Sequence, residues 1–299
     1  MFGKVKKNII WRFCALVLCL CLLSAALGGC GAGNTAPPSG FIGNTQEVVS
    51  AIRRDLRDHS SRIRVRFTYN GDILDRLPEL AGVWMEEALK ETGEPDEGDY
   101  IRYQYGGYRV LCDREEDGEA YRYTVTIVPK YYMYLFQEQI VTEKVGELMA
   151  QFSFDGGASD YEKIRTIYDY VCSSISYDRV HEGNPYHTLR STSYAGLIWG
   201  SATCQGYCVT LYRLLREAGI SCRIVTGSGG DSGTLHAWVI AELDGKYYCM
   251  DATWDSGKEE YSYFLKGSDT FDGHTPSEEF LSGDFAAQYP ISPSDYEDK

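Results

Sequence analysis

The sequence predicts an α+β fold in which a small α+β domain precedes a core built from one helix packed on an antiparallel sheet. Three observations carry this reading. Ile63-Arg64-Val65-Arg66-Phe67-Thr68-Tyr69 alternates with period two, as a strand does. Cys204, Cys208, Leu211 and Leu215 repeat at helical spacing, and Gly219 follows as a natural helix stop. Strand-like runs at 222–226, 235–243 and 246–253 come next, the last two joined by the hairpin turn Asp244-Gly245.

The chain of 299 residues is long enough for two modest domains with real cores. A hydrophobic content of 43% excludes a wholly disordered chain. A net charge of -14 and a pI near 4.8 argue against a basic, phosphate-binding face, so no nucleic-acid partner is expected. The charge is uneven. Residues 1–29 hold Lys4, Lys6, Lys7 and Arg12 and no acid, leaving 25 basic against 43 acidic residues beyond them. That acidic surplus suits cationic partners, and equally plain solubility.

The basic start leads into Phe13 to Leu27, an apolar run whose one clearly polar member is Ser24. The run is short for a bilayer-spanning helix, which takes about 20 residues, and it fits a secretory signal peptide over 1–29. Leu27-Gly28-Gly29-Cys30 resembles a bacterial lipobox, which implies lipidation of Cys30 and an extracytoplasmic, membrane-anchored protein. A plain signal peptide or a short anchor is the alternative. Residues 30–45, rich in Gly, Pro and Ser, read as the lipidated cysteine and a flexible tether.

The N-terminal domain is expected over 46–155. It comprises a helix at 45–57, the strand at 63–69 with turn chemistry at Asn70-Gly71, and a helix at 74–92 stopped by Gly93 and Pro95. Strands at 100–112 and 120–128 and a helix at 137–152 complete it. Tyr100, Tyr103, Tyr105, Tyr108, Tyr121 and Tyr123 can line a sugar- or peptide-binding face; the preferred reading is that aromatics simply fit a pleated surface. The second domain spans 156–275, opening with a helix at 159–175 that Asp160 caps. A further strand is considered at 261–265. Residues 276–299, rich in Ser, Asp, Glu and Pro, read as a peripheral tail.

Cys14, Cys19 and Cys21 belong to the leader, which leaves Cys112, Cys172, Cys204, Cys208, Cys222 and Cys249 beside the lipidated Cys30. No CxxC pair and no Cys/His spacing suits zinc, so neither a metal nor a cofactor is expected. The six can form disulfides in an oxidising compartment, with their connectivity open.

The chemistry concentrates in three short segments. With Asp244-Gly245 at the centre of the hairpin, Trp238 opposes Asp251 and His236 opposes Thr253. His236 and Asp251 then lie on one face as diagonal neighbours, about 7–8 Å apart between backbones and within side-chain reach. The other face carries Ala237, Val239, Ala241, Tyr248, Met250 and Ala252, which suits packing; a one-residue slip would turn that set outward. Cys204 sits in the first turn of its helix, where unpaired N–H groups and the helix dipole favour a thiolate. A thiol, an imidazole and a carboxylate that orients it are what nucleophilic catalysis requires. Taken singly, a Cys on an apolar stripe is more often inert core, and a strand His more often a structural donor.

Cys204-Gln205-Gly206-Tyr207, His236-Ala237-Trp238 and Asp251-Ala252-Thr253-Trp254 resemble the three signature blocks of the transglutaminase-like superfamily, in the same chain order. Tyr177-Asp178, Ala195-Gly196-Leu197 and the run from Leu215 to Gly227 extend the likeness over about residues 159–270. Ala252 departs from the Pro that often follows the Asp. The resemblance implies a papain-like fold with Cys204 as nucleophile, His236 as base and then acid, and Asp251 as the group that orients it. It also implies acyl transfer from an amide through a thioester on Cys204, acting on a protein or peptide, with a cell-wall peptide among the candidates. The resemblance favours a peptidase or amidase over amine-accepting cross-linking, because many bacterial members with this short core are thought to be proteases. Cross-linking relatives carry large extra domains and calcium sites, and no EF-hand-like loop occurs here. A non-catalytic lipoprotein that holds a peptide or wall fragment in the same cleft is the rival. Trp238, Trp254 and Tyr177 are candidate cleft residues, each also suited to ordinary core packing. The Cys204 N–H and the Gln205 amide are candidate oxyanion donors, with helix capping the alternative for Gln205.

Overall fold

The computed structural model describes residues 10–12, 45–154, 156–181, 184 and 186–298. Most of the expected leader and tether, with Cys30, lies outside the described residues. The chain packs as two units: Met1–Lys90 with Tyr105–Tyr131, and Glu91–Gln104 with Tyr132–Lys299.

The first unit is a four-stranded antiparallel sheet in the order β1-β3-β4-β2, formed by Ile10–Arg12 (β1), Ile63–Tyr69 (β2), Tyr105–Asp117 (β3) and Ala120–Tyr131 (β4). Two helices accompany it, Thr45–Arg57 (α1) and Leu77–Ala88 (α2), which pack on each other. Val49, Ile52 and Leu56 of α1 and Leu80, Trp84 and Met85 of α2 are buried. The central strand β4 buries Tyr123, whose hydroxyl donates to the Gly71 carbonyl at 2.7 Å and thereby fixes the turn after β2. Tyr105, Tyr108 and Tyr123 are thus core, as are Tyr100 and Tyr103 in the second unit; Tyr121 alone of the six is only partly covered. The five buried tyrosines fill interior space.

The second unit is organised by Cys204–Glu217 (α6), in which every residue from Gly206 to Leu215 is buried. Leu135–Phe152 (α4) and Asp160–Ser174 (α5) flank it, contributing Val141, Val145, Leu148, Ile164, Ile167 and Val171 to one core. Helix α4 therefore belongs here, not to the N-terminal domain over 46–155. Ser159 caps α5, its hydroxyl accepting from Glu162 N–H, so the cap lies one residue ahead of the expected Asp160. Asp99–Arg102 forms a single helical turn (α3), entered through Gly98 at φ +58°, where a strand is expected to begin at residue 100.

Cys222–Gly229 (β7), Thr234–Leu243 (β8), Lys246–Met250 (β9) and His274–Pro276 (β10) make an antiparallel sheet in the order β10-β7-β8-β9. Ser176–Tyr177 (β5) and Ser201–Ala202 (β6) pair separately and in parallel. The β8–β9 hairpin turns at Asp244 and Gly245, both at positive φ, and sets Leu243 opposite Lys246 and Val239 opposite Met250. The register is the one the sequence favours. One face of the sheet, with Ala237, Val239, Ala241, Tyr248 and Met250, packs in the α6 core. The other face, with Val225, Trp238, Ile240 and Cys249, is covered by Phe271 and Tyr289.

The C-terminal residues are consequently structural. Strand β10 pairs with β7, Tyr247 N–H donates to Pro290 O at 2.9 Å, and Gly283–Gln288 forms a short helix (α8). A peripheral tail over 276–299 is not what forms. Residues 261–265 make no strand, and β9 ends at Met250 because Ala252–Asp255 winds into a helical turn (α7). The six cysteines from Cys112 onward are free thiols. Among the described residues no helix is long and apolar enough to cross a membrane.

Candidate active site

Cys204 is the first residue of α6 and is half-buried, while Cys208, one turn on, is fully enclosed. The start of α6 is held from outside the helix. Thr203 N–H donates to Arg190 O at 3.0 Å, and the Thr203 hydroxyl lies 3.0 Å from that of Ser191. Thr203 therefore makes no side-chain cap, and its hydroxyl leaves the N–H groups of the first turn to the site. Gly206 permits this contact. A Cβ there would stand 2.7 Å from Ala202 Cβ and 2.8 Å from Arg190 O.

His236 projects from β8 and Asp251 caps the one-turn helix α7 at the end of β9. Asp251 Oδ1 accepts the N–H groups of Thr253 and Trp254 at 2.9 and 3.2 Å. Asp251 Oδ2 accepts from His236 Nε2 at 2.7 Å. With Nε2 so engaged, Nδ1 is the His236 nitrogen left for the Cys204 thiol, which is near enough to act on the ring electrostatically. Burial alone would lower the His236 pKa; the hydrogen bonds and charges of Asp251 and Cys204 override it and raise it to about 9. Asp251 is deeply buried, which favours its neutral form, yet its two histidine partners hold its pKa below the usual carboxylate value.

The second of those partners is His274, which sequence reasoning missed. Its Nε2 lies 3.0 Å from the same Asp251 Oδ2, and its Nδ1 lies 3.0 Å from Asp272 O. The ring stacks on Phe271 at 3.8 Å and contacts Trp254 at 4.2 Å between centroids. Strand β10 brings it there by pairing His274 with Gly229. A Cβ on Gly227 would lie 2.1 Å from Thr275 O, and one on Gly229 would press on the His236 ring at 3.0 Å. Those alternating glycines in Gly227-Ser228-Gly229 are the signal that another backbone approaches closely.

The remaining candidates divide. Trp254 stacks on His236 at 4.9 Å and 17° and stays half-buried, the position of a cleft wall. Trp238 does not wall a cleft. It is 2% exposed and packs against Phe271 and the edge of His274, because its side of the sheet is covered by the C-terminal residues. The Gln205 side-chain amide donates to Tyr103 O, so it anchors α6 to residues 99–103 and is not aimed at an oxyanion. Tyr177 is exposed on β5, paired with Ala202 just ahead of Cys204.

This thiol–imidazole–carboxylate arrangement lies within the stretch that comparison with known proteins picks out. Residues 149–252 match the transglutaminase-like superfamily. This segment resembles a transglutaminase-like core. The kyphoscoliosis peptidase of Mus musculus is 29% identical over 110 residues, which cover 33% of this chain and 16% of that protein. Its Homo sapiens counterpart is 28% identical over the same lengths. The chain thus spans 16% of the length of the curated relatives it matches. A crystal structure of a TGase aligns at a TM-score of 0.36 and 17% identity, covering 73% of this chain and 54% of that one. In the transglutaminase-like core of this chain, Cys204 begins the central helix, and His236 and Asp251 come from one hairpin and its end.

Proposed function

We propose that the protein is a cysteine enzyme that opens amide bonds in proteins or peptides through a thioester on Cys204, acting as a peptidase or amidase. The observation that carries this reading is the placement of His236, whose Nε2 is 2.7 Å from Asp251 Oδ2 while Cys204, at the start of α6, is near enough to help raise its pKa. The proton of Cys204 resides on His236, and the thiolate attacks the amide carbon. The C–N bond breaks as His236 returns the proton to the leaving amine. Water, deprotonated by His236, then releases the acid and restores the thiolate. The developing oxyanion faces the N–H of Cys204 at the mouth of α6, where the helix dipole also favours negative charge. Asp251, fixed by two backbone N–H groups, keeps the imidazole oriented through the cycle. Export and anchoring to the membrane through a lipid on Cys30 belong to the same proposal, supported by the basic leader and the small residues before Cys30.

Iodoacetamide labelling, read by peptide mass spectrometry, tests the core of it. Cys204 of the full chain is expected to label fast at neutral pH, and at least tenfold more slowly in His236→Ala. Equal, slow labelling of both proteins would overturn the reading in favour of a binding protein. An amine-accepting cross-linker is distinguished by incorporation of a labelled primary amine into acceptor proteins.

A further inference from the structure

A second cluster of ligand-type side chains stands outside the thiol site. Asp178 follows β5 directly, and its backbone N–H donates to Ala202 O at 2.9 Å, which fixes it beside the segment leading into α6. Its carboxylate is buried, with the residue 5% exposed. Burial opposes ionisation, but the contacts with His181 and the charges of His181 and Arg190 hold its pKa below the usual value, so it is an anionic ligand. His181 Nδ1 lies 2.9 Å from Asp178 Oδ2 and 3.2 Å from Oδ1. The His187 ring stacks on that of His181 at 3.8 Å and 12°, and its other neighbour is Trp199 at 5.9 Å. His187 Nε2 is shielded from solvent and has no hydrogen-bond partner. A shielded imidazole nitrogen without a partner costs free energy unless something occupies its lone pair or takes its proton.

One ligand atom from each of Asp178, His181 and His187 falls within 4.8 Å of the other two. In a tetrahedral Zn2+ shell, with metal–ligand distances of about 2.0–2.2 Å, ligand atoms stand roughly 3.3 Å apart. The Asp178–His181 pair is already at that spacing, while His187 has to close by up to about 1.5 Å and turn out of its parallel stack on His181, so that both in-plane lone pairs converge on the ion. Two imidazoles and a carboxylate are the nitrogen and oxygen donors that suit zinc, and the part-exposed His181 leaves room for water in a fourth position. The sequence shows no zinc pattern because the set lacks cysteine and is assembled by a loop.

We propose that Asp178, His181 and His187 bind a Zn2+ ion, which clamps the loop after β5 to the turn that leads into α6. The site does not depend on the enzyme reading of Cys204.

Isothermal titration of the chelator-treated full chain with Zn2+ tests it, alongside His187→Ala, His181→Gln and His274→Phe. The last variant disrupts the other His–Asp–His group found among the described residues, at Asp251. The expected result is one saturable site in the parent, weakened at least tenfold in both loop variants and unchanged in His274→Phe. Titration with Co2+ adds a spectroscopic check, since nitrogen and oxygen ligation gives visible bands without the near-ultraviolet charge transfer of a thiolate. Zn2+ affinity equal in the parent and both loop variants, loss in His274→Phe alone, or a thiolate band would overturn the proposal. Absence of saturable binding in the parent would also overturn it and leave the cluster as hydrogen bonding within the loop.

Discussion

His274 Nε2 stands 3.0 Å from Asp251 Oδ2, the oxygen that also receives His236 Nε2 at 2.7 Å. Two imidazoles therefore converge on one buried carboxylate oxygen, and the position of Asp251 depends on both. His274→Phe keeps the aromatic packing against Phe271 and Trp254 but removes the donor. A hydrogen bond to a buried charged group contributes about 1.5–3 kcal/mol, so Cys204 alkylation at neutral pH is expected to slow by about tenfold or more. His274→Gln, which retains an N–H donor, is expected to recover part of that rate. Parent-like alkylation in His274→Phe would show that Asp251 needs no second donor.

The raised pKa of His236 makes stability depend on pH. The folded protein holds the proton up to about pH 9, whereas the unfolded chain releases it near 6.5. The contribution is therefore full below pH 6.5 and lost as pH rises through 9, on the order of 3 kcal/mol in all. Urea denaturation at pH 6.5 and 9 measures it. The parent is expected to lose more stability across that interval than Asp251→Asn, in which the charge holding the proton is gone.

Gly206→Ala tests the seat of the nucleophile helix. The added methyl meets Ala202 Cβ and Arg190 O at under 3 Å, and neither belongs to a flexible side-chain end. Overpacking of this kind costs about 1–3 kcal/mol. The variant is expected to melt lower and to label at Cys204 more slowly, since the start of α6 must move away from the Arg190 turn.

Lipidation at Cys30 predicts that the chain, produced in a bacterium fed an alkyne fatty acid, acquires the label and sediments with membranes. Cys30→Ala is expected to lose both properties, and retention of the label would place any acyl group elsewhere.

The hairpin was legible because two kinds of information agreed. Asp244-Gly245 supplies the positive φ values of a tight turn, and the alternation from Ala237 to Met250 admits one register without exposing apolar side chains. Together they bring His236 and Asp251 together from sequence alone. Helix α6 was legible for a similar reason, as its apolar stripe ends at a glycine, Gly219, at φ +83°.

What was not legible depends on packing between distant segments. His274 lies in no periodic pattern, and its role follows only from the pairing of β10 with β7. The C-terminal residues look polar, yet Phe271, Phe285 and Tyr289, spaced singly, cover a whole sheet face. Helix α4 reads as an ordinary amphipathic helix whose partner no local signal names; its stripe of Val141, Val145 and Leu148 meets the α6 core. Trp238 shares a face with His236, which suits a cleft wall on sequence grounds alone. The same face is buried beneath Phe271.

Strand β10 has a consequence for the life of the chain. A ribosome makes the thiol, the first imidazole and the carboxylate well before it reaches His274, and the glycine-bearing edge of β7 stays bare until then. A nascent or prematurely terminated chain therefore carries every reactive group while lacking the segment that locks the carboxylate in place. The proposed chemistry therefore waits on the synthesis of strand β10.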